Sequence, residues 1–165
     1  PAFLARRFKT REKENRQRKI LAWGFPFILA TLILPGLDRR FGWSEPPVAV
    51  VITAMILSLG GYLMILGVFL ENRWAGRTIE TFSEQNVVST GPYAVVRHPM
   101  YAGAVILLLA TPVALGSWWA VFPALAYIPF IVLRIGNEEE ILVRGLPGYE
   151  EYRRRVRYRL VPFLW

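Results

Sequence analysis

The sequence predicts an all-α integral membrane protein of about four transmembrane helices, the last two forming a helical hairpin, with a cytoplasmic loop and C-terminal tail that together form a polar pocket. Three observations carry this expectation. Of the 165 residues, 54% are hydrophobic and only 19% charged, and the mean hydropathy is positive. The formal net charge is nevertheless +8. That charge is gathered in "RRFKTREKENRQRK" (6–19) and "YRRRVRYR" (152–159), each beside an apolar stretch. Basic flanks on apolar segments are the pattern of a membrane protein. Neither cluster interleaves with aromatics as base stacking requires, so no nucleic acid is expected as partner.

Each element follows in order. Residues 1–19 form a basic interfacial segment. It resembles the start of a signal peptide, but no small-residue cleavage site follows "ILAWGFPFILATLIL", so a retained anchor is expected. Residues 20–37 and 47–70 are uncharged. As helices they measure about 27 and about 36 Å, against a hydrocarbon core of about 30 Å. The next two spans, about 100–115 and 118–135, are separated by Gly116-Ser117, with Trp118-Trp119 as interfacial anchors after the turn. A tail, 136–165, completes a single membrane domain over 20–165.

Four spans sort the connections onto two sides. The N-terminal segment, the 71–101 loop and the tail carry 18 of the 20 Lys and Arg, and the 38–46 connection carries Arg39 and Arg40. The positive-inside rule then puts both termini and the 71–101 loop in the cytoplasm, at the inner membrane. There is no cysteine and only one histidine, His98. This removes thiolate chemistry and leaves no set of His and Cys to hold a metal.

The chemistry available on that face lies in two stretches. In "GPYAVVRHPMYAG" (91–103), Gly91-Pro92 makes a turn and Pro99 starts a helix whose free N–H groups point outward. Arg97 adds a guanidinium fork and His98 a ring donor, suited to a carboxylate or phosphate. Tyr93 and Tyr101 offer aromatic faces to a flat ring or a cation, and Gly103 permits close backbone approach. In "RIGNEEEIL" (134–142), Arg134 and Glu138 are i,i+4 neighbours flanked by Glu139. A Glu run is ordinarily a solvated helix face. Opposite Arg97 and His98 it becomes a candidate for ribose hydroxyls, an ammonium or a sulfonium. S-adenosylmethionine carries all of these groups; a phosphorylated nucleotide also suits Arg97 and a helix N-terminus.

These two stretches, with "ENRWAGRTIE", "LGSWW" and "LPGYEEYRRRVRYRLVPFLW", resemble the isoprenylcysteine carboxyl methyltransferase family of integral membrane enzymes, over roughly 47–165. The resemblance implies an S-adenosylmethionine pocket lined by Tyr93, Arg97, His98, Tyr101, Gly103, Glu138 and Glu139, with Tyr149 and Tyr152 closing over it. It implies Arg134 and Glu139 as the catalytic pair near the methyl-transfer centre, and a lipid-like substrate entering sideways from the bilayer. Direct in-line displacement is expected, with Glu139 as base where the acceptor is an amine or phenol. Two alternatives stand beside this. One is an NADPH-dependent membrane reductase of the sterol type, which has an Asn where this chain has Met100 and an acid where it has Ala104. The other is a non-enzymatic module gripping anionic lipid through its basic flanks.

Overall fold

The computed structural model of the protein describes residues 15–72, 74–75 and 86–165. Most of the basic N-terminal cluster, and Arg73 and Arg77 of the loop, lie outside the described residues. Among the described residues the fold is all-helical. It comprises α1 (Asn15–Phe41), α2 (Val48–Glu71), a short 3-10 helix (Gly91–Ala94), α3 (Pro99–Ala114), α4 (Val121–Gly145) and α5 (Tyr149–Arg155). The helices α1, α2 and α4 are long and apolar enough to cross a membrane, and α3 is a shorter apolar helix of 16 residues. The protein is an integral membrane protein.

The helices differ from their expected bounds in an informative way. α1 extends beyond the apolar stretch at both ends and keeps Pro26 and Pro35 inside it, as membrane helices tolerate where neighbours re-satisfy the backbone. α4 runs straight on through the Glu run to Gly145, so the tail begins ten residues later than 136. The reason is local: after Arg134 the stretch "IGNEEEILVRG" has only Gly136 before the helix ends at Gly145, and no proline until Pro147.

Buried positions form narrow stripes. On α1 they are Gln17, Gly24, Thr31, Pro35 and Asp38; on α2 they are Ala54, Gly61 and Val68. A seven-residue repeat keeps one seam facing a neighbour, and lipid covers the rest, which is why so many large apolar residues of α2 are exposed. The seams are made of small side chains because helices in lipid gain by close backbone packing. α3 lies chiefly against α2 and α4 chiefly against α1. The α3–α4 hairpin turns through Gly116, whose φ of +82° suits glycine alone.

At the turn end Asp38 is fully buried. It accepts from Ser44 N at 2.8 Å and from the hydroxyls of Ser44 and Ser117 at 2.5 Å each. This ties the end of α1, the α1–α2 connection and the hairpin turn together. Phe41, Trp43, Trp118 and Trp119 stand exposed around it, an aromatic belt at one membrane boundary.

Gly103, expected to line the cofactor pocket, packs against α2 in the structure. A Cβ on Gly103 would sit 2.8 Å from the Gly61 carbonyl oxygen and 2.9 Å from Ile65 Cγ1. Gly103 therefore serves the α2–α3 contact, its backbone on that of Gly61. A Cβ at Gly61 would likewise fall 2.8 Å from the Gly103 oxygen, whereas one at Gly60 would meet nothing within 4 Å. We expect Gly61→Ala to destabilise the purified protein by about 1–3 kcal/mol through overpacking. Gly60→Ala should be neutral or slightly stabilising. Thermal unfolding of the two variants in the same detergent measures the contrast, and equal melting temperatures would refute it.

Candidate functional site

The site is built where α3 starts, α4 leaves its apolar stretch and the tail folds back. Gly148, at φ +82°, reverses the chain after α4 so that α5 returns over the loop. The segment after α5 then pairs with the residues before α3: Arg97 N donates to Tyr158 O and His98 N to Arg159 O, each at 2.9 Å.

Behind this pairing lies a buried ionic knot. Glu139 is 3% exposed. One of its oxygens accepts from Arg97 Nε at 2.7 Å and lies 3.3 Å from His98 Nε2; the other accepts from Arg159 Nε at 2.9 Å. Arg97 Nη1 donates to the carbonyls of Val156 and Arg157 at 2.8 and 2.7 Å. Glu139 stands past the apolar part of α4, and two influences act on its carboxyl. Burial pushes its pKa up, but the hydrogen bonds and charges of His98 and Arg97 outweigh it and hold it at about 2. Such a carboxylate holds cations well and accepts protons poorly.

In front of the knot is a cleft. Its walls include Asn72, Tyr93, Arg97, His98, Met100, Tyr101, Glu138, Tyr149 and Tyr152. No side chain caps the α3 N-terminus at His98, so the positive end of that helix opens toward the cleft. Tyr93 is fixed by Asn72, whose Nδ2 donates to its hydroxyl at 3.0 Å, and Tyr152 donates to the Tyr93 carbonyl at 2.8 Å. Tyr101 donates to Glu138 at 2.7 Å and accepts from Arg134 Nε at 2.7 Å. Tyr149 is 4% exposed, and its hydroxyl has no partner among the described residues. Burial, then the charges of Glu139 and Glu138, push the Tyr149 phenol well above its usual pKa. Burial does the same for Tyr152. Both remain neutral hydrogen-bond donors.

The expected residues thus divide. Tyr93, Arg97, His98, Tyr101, Glu138, Tyr149 and Tyr152 meet around one cleft. Glu139 lies in the wall behind it, Arg134 reaches it through Tyr101, and Gly103 is elsewhere. Asn72 and Arg159 were missed in the sequence. Asn72 is the second residue of "ENRW", which offers no more than a polar residue at a helix end. Arg159 is one of five arginines between 153 and 159, with nothing local to single it out.

On the membrane side of Tyr101 and Arg134 is an apolar groove between α1, α3 and α4, of about 250 Å³, lined by residues including Ile28, Leu32, Ala104, Leu108, Thr111, Tyr127 and Ile131. Tyr101, Ala104, Leu108 and Thr111 fall on one stripe of α3, and Tyr127, Ile131, Arg134 and Glu138 on one stripe of α4. Groove and cleft therefore lie along the same α3–α4 seam, with the buried cluster of Tyr101, Ile131, Ile135 and Leu160 between them.

Comparisons with known proteins bear on this architecture. The chain is 31% identical over 91 residues to the Delta(14)-sterol reductase TM7SF2 of Mus musculus, an alignment covering 53% of this chain and 22% of the reductase. It is 29% identical to the cobalt-zinc-cadmium resistance protein CzcN of Cupriavidus metallidurans, over 94% of this chain and 68% of that protein. The chain thus spans about a fifth of the length of the first relative and about two thirds of the second. The phospholipid methyltransferase family matches residues 49–146. That interval takes in all but the first residue of α2, the loop, α3 and the whole of α4, more than half of the chain, and the protein belongs to the phospholipid methyltransferase family.

Proposed function

We propose that the protein is an S-adenosylmethionine-dependent methyltransferase acting on a lipid-like amphiphile at the cytoplasmic membrane face, in the manner of the isoprenylcysteine carboxyl methyltransferases. The observation that carries this reading is the buried Tyr149 hydroxyl, without a partner among the described residues, in the wall of a polar cleft that shares the α3–α4 seam with an apolar groove. A buried hydroxyl without a partner costs free energy, and a ligand acceptor would recover it. The remaining donor set fits the cofactor by type. The open N-terminus of α3 suits its carboxylate, the faces of Tyr93 and Tyr152 its adenine, and Glu138 its ammonium or ribose hydroxyls. When bound, the cofactor would supply an electrophilic methyl group. The cleft has a volume of about 90 Å³ and is open on one side.

The chain's own residues would then do three things. The apolar groove takes the hydrocarbon part of the acceptor and excludes water from it. Arg134, Tyr101 and Glu138 hold its polar end between groove and cleft. Glu139, committed to three cationic or basic partners, acts as a positioning residue, and Glu138 replaces it as the carboxylate available for a proton. Orientation follows from the distribution of Lys and Arg, with the cleft on the cytoplasmic side.

Titrating S-adenosylhomocysteine into the detergent-purified protein tests the reading by calorimetry. Micromolar binding is expected for the parent, lost in His98→Ala and Glu138→Ala variants that keep their thermal unfolding transition. Binding of NADPH in its place would move the assignment to the reductase class, for which the likeness to the sterol reductase is the supporting observation. Binding of neither by folded protein would leave a lipid-binding module.

Tyr149→Phe gives an independent test. Removing a hydroxyl that no group among the described residues satisfies should leave the melting temperature unchanged or raise it. The affinity for S-adenosylhomocysteine should fall about tenfold, the loss of one hydrogen bond of about 1.4 kcal/mol. A lower melting temperature with unchanged affinity would mean that the hydroxyl serves the fold.

A further inference from the structure

The segment after α5 presents a surface that the methyl-transfer reading does not use. Phe163 and Leu164 are 89% and 80% exposed. Phe163 has φ +65° and is the one non-glycine residue with positive φ among the described residues. The chain holds this conformation because the N–H groups of Arg159, Leu160 and Val161 all donate to the Trp165 carbonyl, at 2.9–3.1 Å. The fold thus maintains a strained turn whose result is to push two large apolar side chains outward.

The place of this turn is fixed by its base. Leu160 is buried with Tyr101, Ile131 and Ile135, and Trp165 packs on the same cluster. Ile131 lies about one helical turn to the apolar side of Arg134 on α4. The exposed tip therefore stands at the membrane boundary. Beside it along the chain are Arg154, Arg155 and Arg157, all exposed, with the Arg154 side chain at 80%.

We propose that residues 154–164 dock on anionic lipid headgroups, Phe163 and Leu164 entering the interface and the arginines pairing with lipid phosphates, and that this docking tightens the cleft. Apolar side chains ringed by arginine are the combination that binds an anionic leaflet. The coupling rests on the methyltransferase reading and on contacts already described. The docked segment supplies the Val156 and Arg157 carbonyls to Arg97, Arg159 to Glu139, and the backbone pairing that holds Arg97 and His98 in the cleft wall. Holding the tail on the lipid surface lowers the cost of ordering that wall.

The chain has no cysteine, so Leu164→Cys can carry a single polarity-sensitive fluorophore. The labelled protein is reconstituted in bilayers of phosphatidylcholine with and without phosphatidylglycerol. The label should shift to the blue with phosphatidylglycerol and return at high salt. In parallel, the unlabelled parent should bind S-adenosylhomocysteine about fivefold more tightly in the anionic bilayer, the gain of one arginine at such a surface. The Arg154→Gln, Arg157→Gln double variant should lose that difference. A label reporting water in both bilayers overturns the docking. A docked label with lipid-independent affinity overturns the coupling. Absence of cofactor binding in both bilayers refutes the methyltransferase reading, and the label then decides the docking by itself.

Discussion

A carboxylate taken out of water beside a membrane has to be neutralised where it stands, and the buried Glu139 sets the terms for everything around it. Its desolvation costs several kcal/mol unless charged partners meet both oxygens. Arg97 and Arg159 do so, with His98 alongside. Each partner brings its own segment: Arg97 and His98 the loop before α3, Arg159 the chain after α5. Arg97 then spends further donors on two tail carbonyls. One acidic side chain at the end of α4 therefore fixes the loop, the tail and the pairing between them. The cleft is the space left in front of this arrangement.

The same logic explains three consecutive glutamates. Successive residues on a helix are about 100° apart, so a run of three cannot share an environment. Glu138 turns to Tyr101 on α3, Glu139 enters the knot, and Glu140 stays exposed, paired with Arg16 of α1 at 3.2 Å. The run is thus a three-way junction among α1, α3 and the tail. Its acids are not interchangeable. Glu139 is held ionised by cations in the knot, and Glu138, bonded to the Tyr101 phenol, is the one that lines the cleft.

This division marks the limit of what could be read from the sequence. The spans, the break at Gly116-Ser117 and the gathering of Tyr93, Arg97, His98, Tyr101 and Glu138 were legible, because hydropathy, turn residues and the proline at position 99 are local signals. The buried seams were not. In lipid the outward face of a helix is as apolar as the inward one, so periodicity does not separate them. The positions that are buried, such as Gln17, Gly24, Thr31 and Asp38, are small or polar. Gly103 belongs to these seams: a glycine near a motif looks like room for a ligand, and here it makes room for another helix. The Asp38–Ser117 bond, 79 residues apart, and the Arg159–Glu139 bond leave no trace in local sequence at all.

The length of α3 connects these features to the chemistry. At 16 residues it rises about 24 Å, less than the roughly 30 Å hydrocarbon thickness, while its neighbours are longer by eight residues or more. Its far end is fixed by the Asp38 clamp at the aromatic belt. The shortfall therefore falls at its N-terminus, where the backbone of Arg97 and His98 pairs with the returning tail. Tyr101, in the first turn of α3, packs there with Ile131, Ile135 and Leu160, and the polar cleft and the apolar groove lie on either side of this cluster along one seam. On the proposed reading, a cofactor made of charges and an acceptor made of hydrocarbon would approach the same few side chains, each from its own solvent.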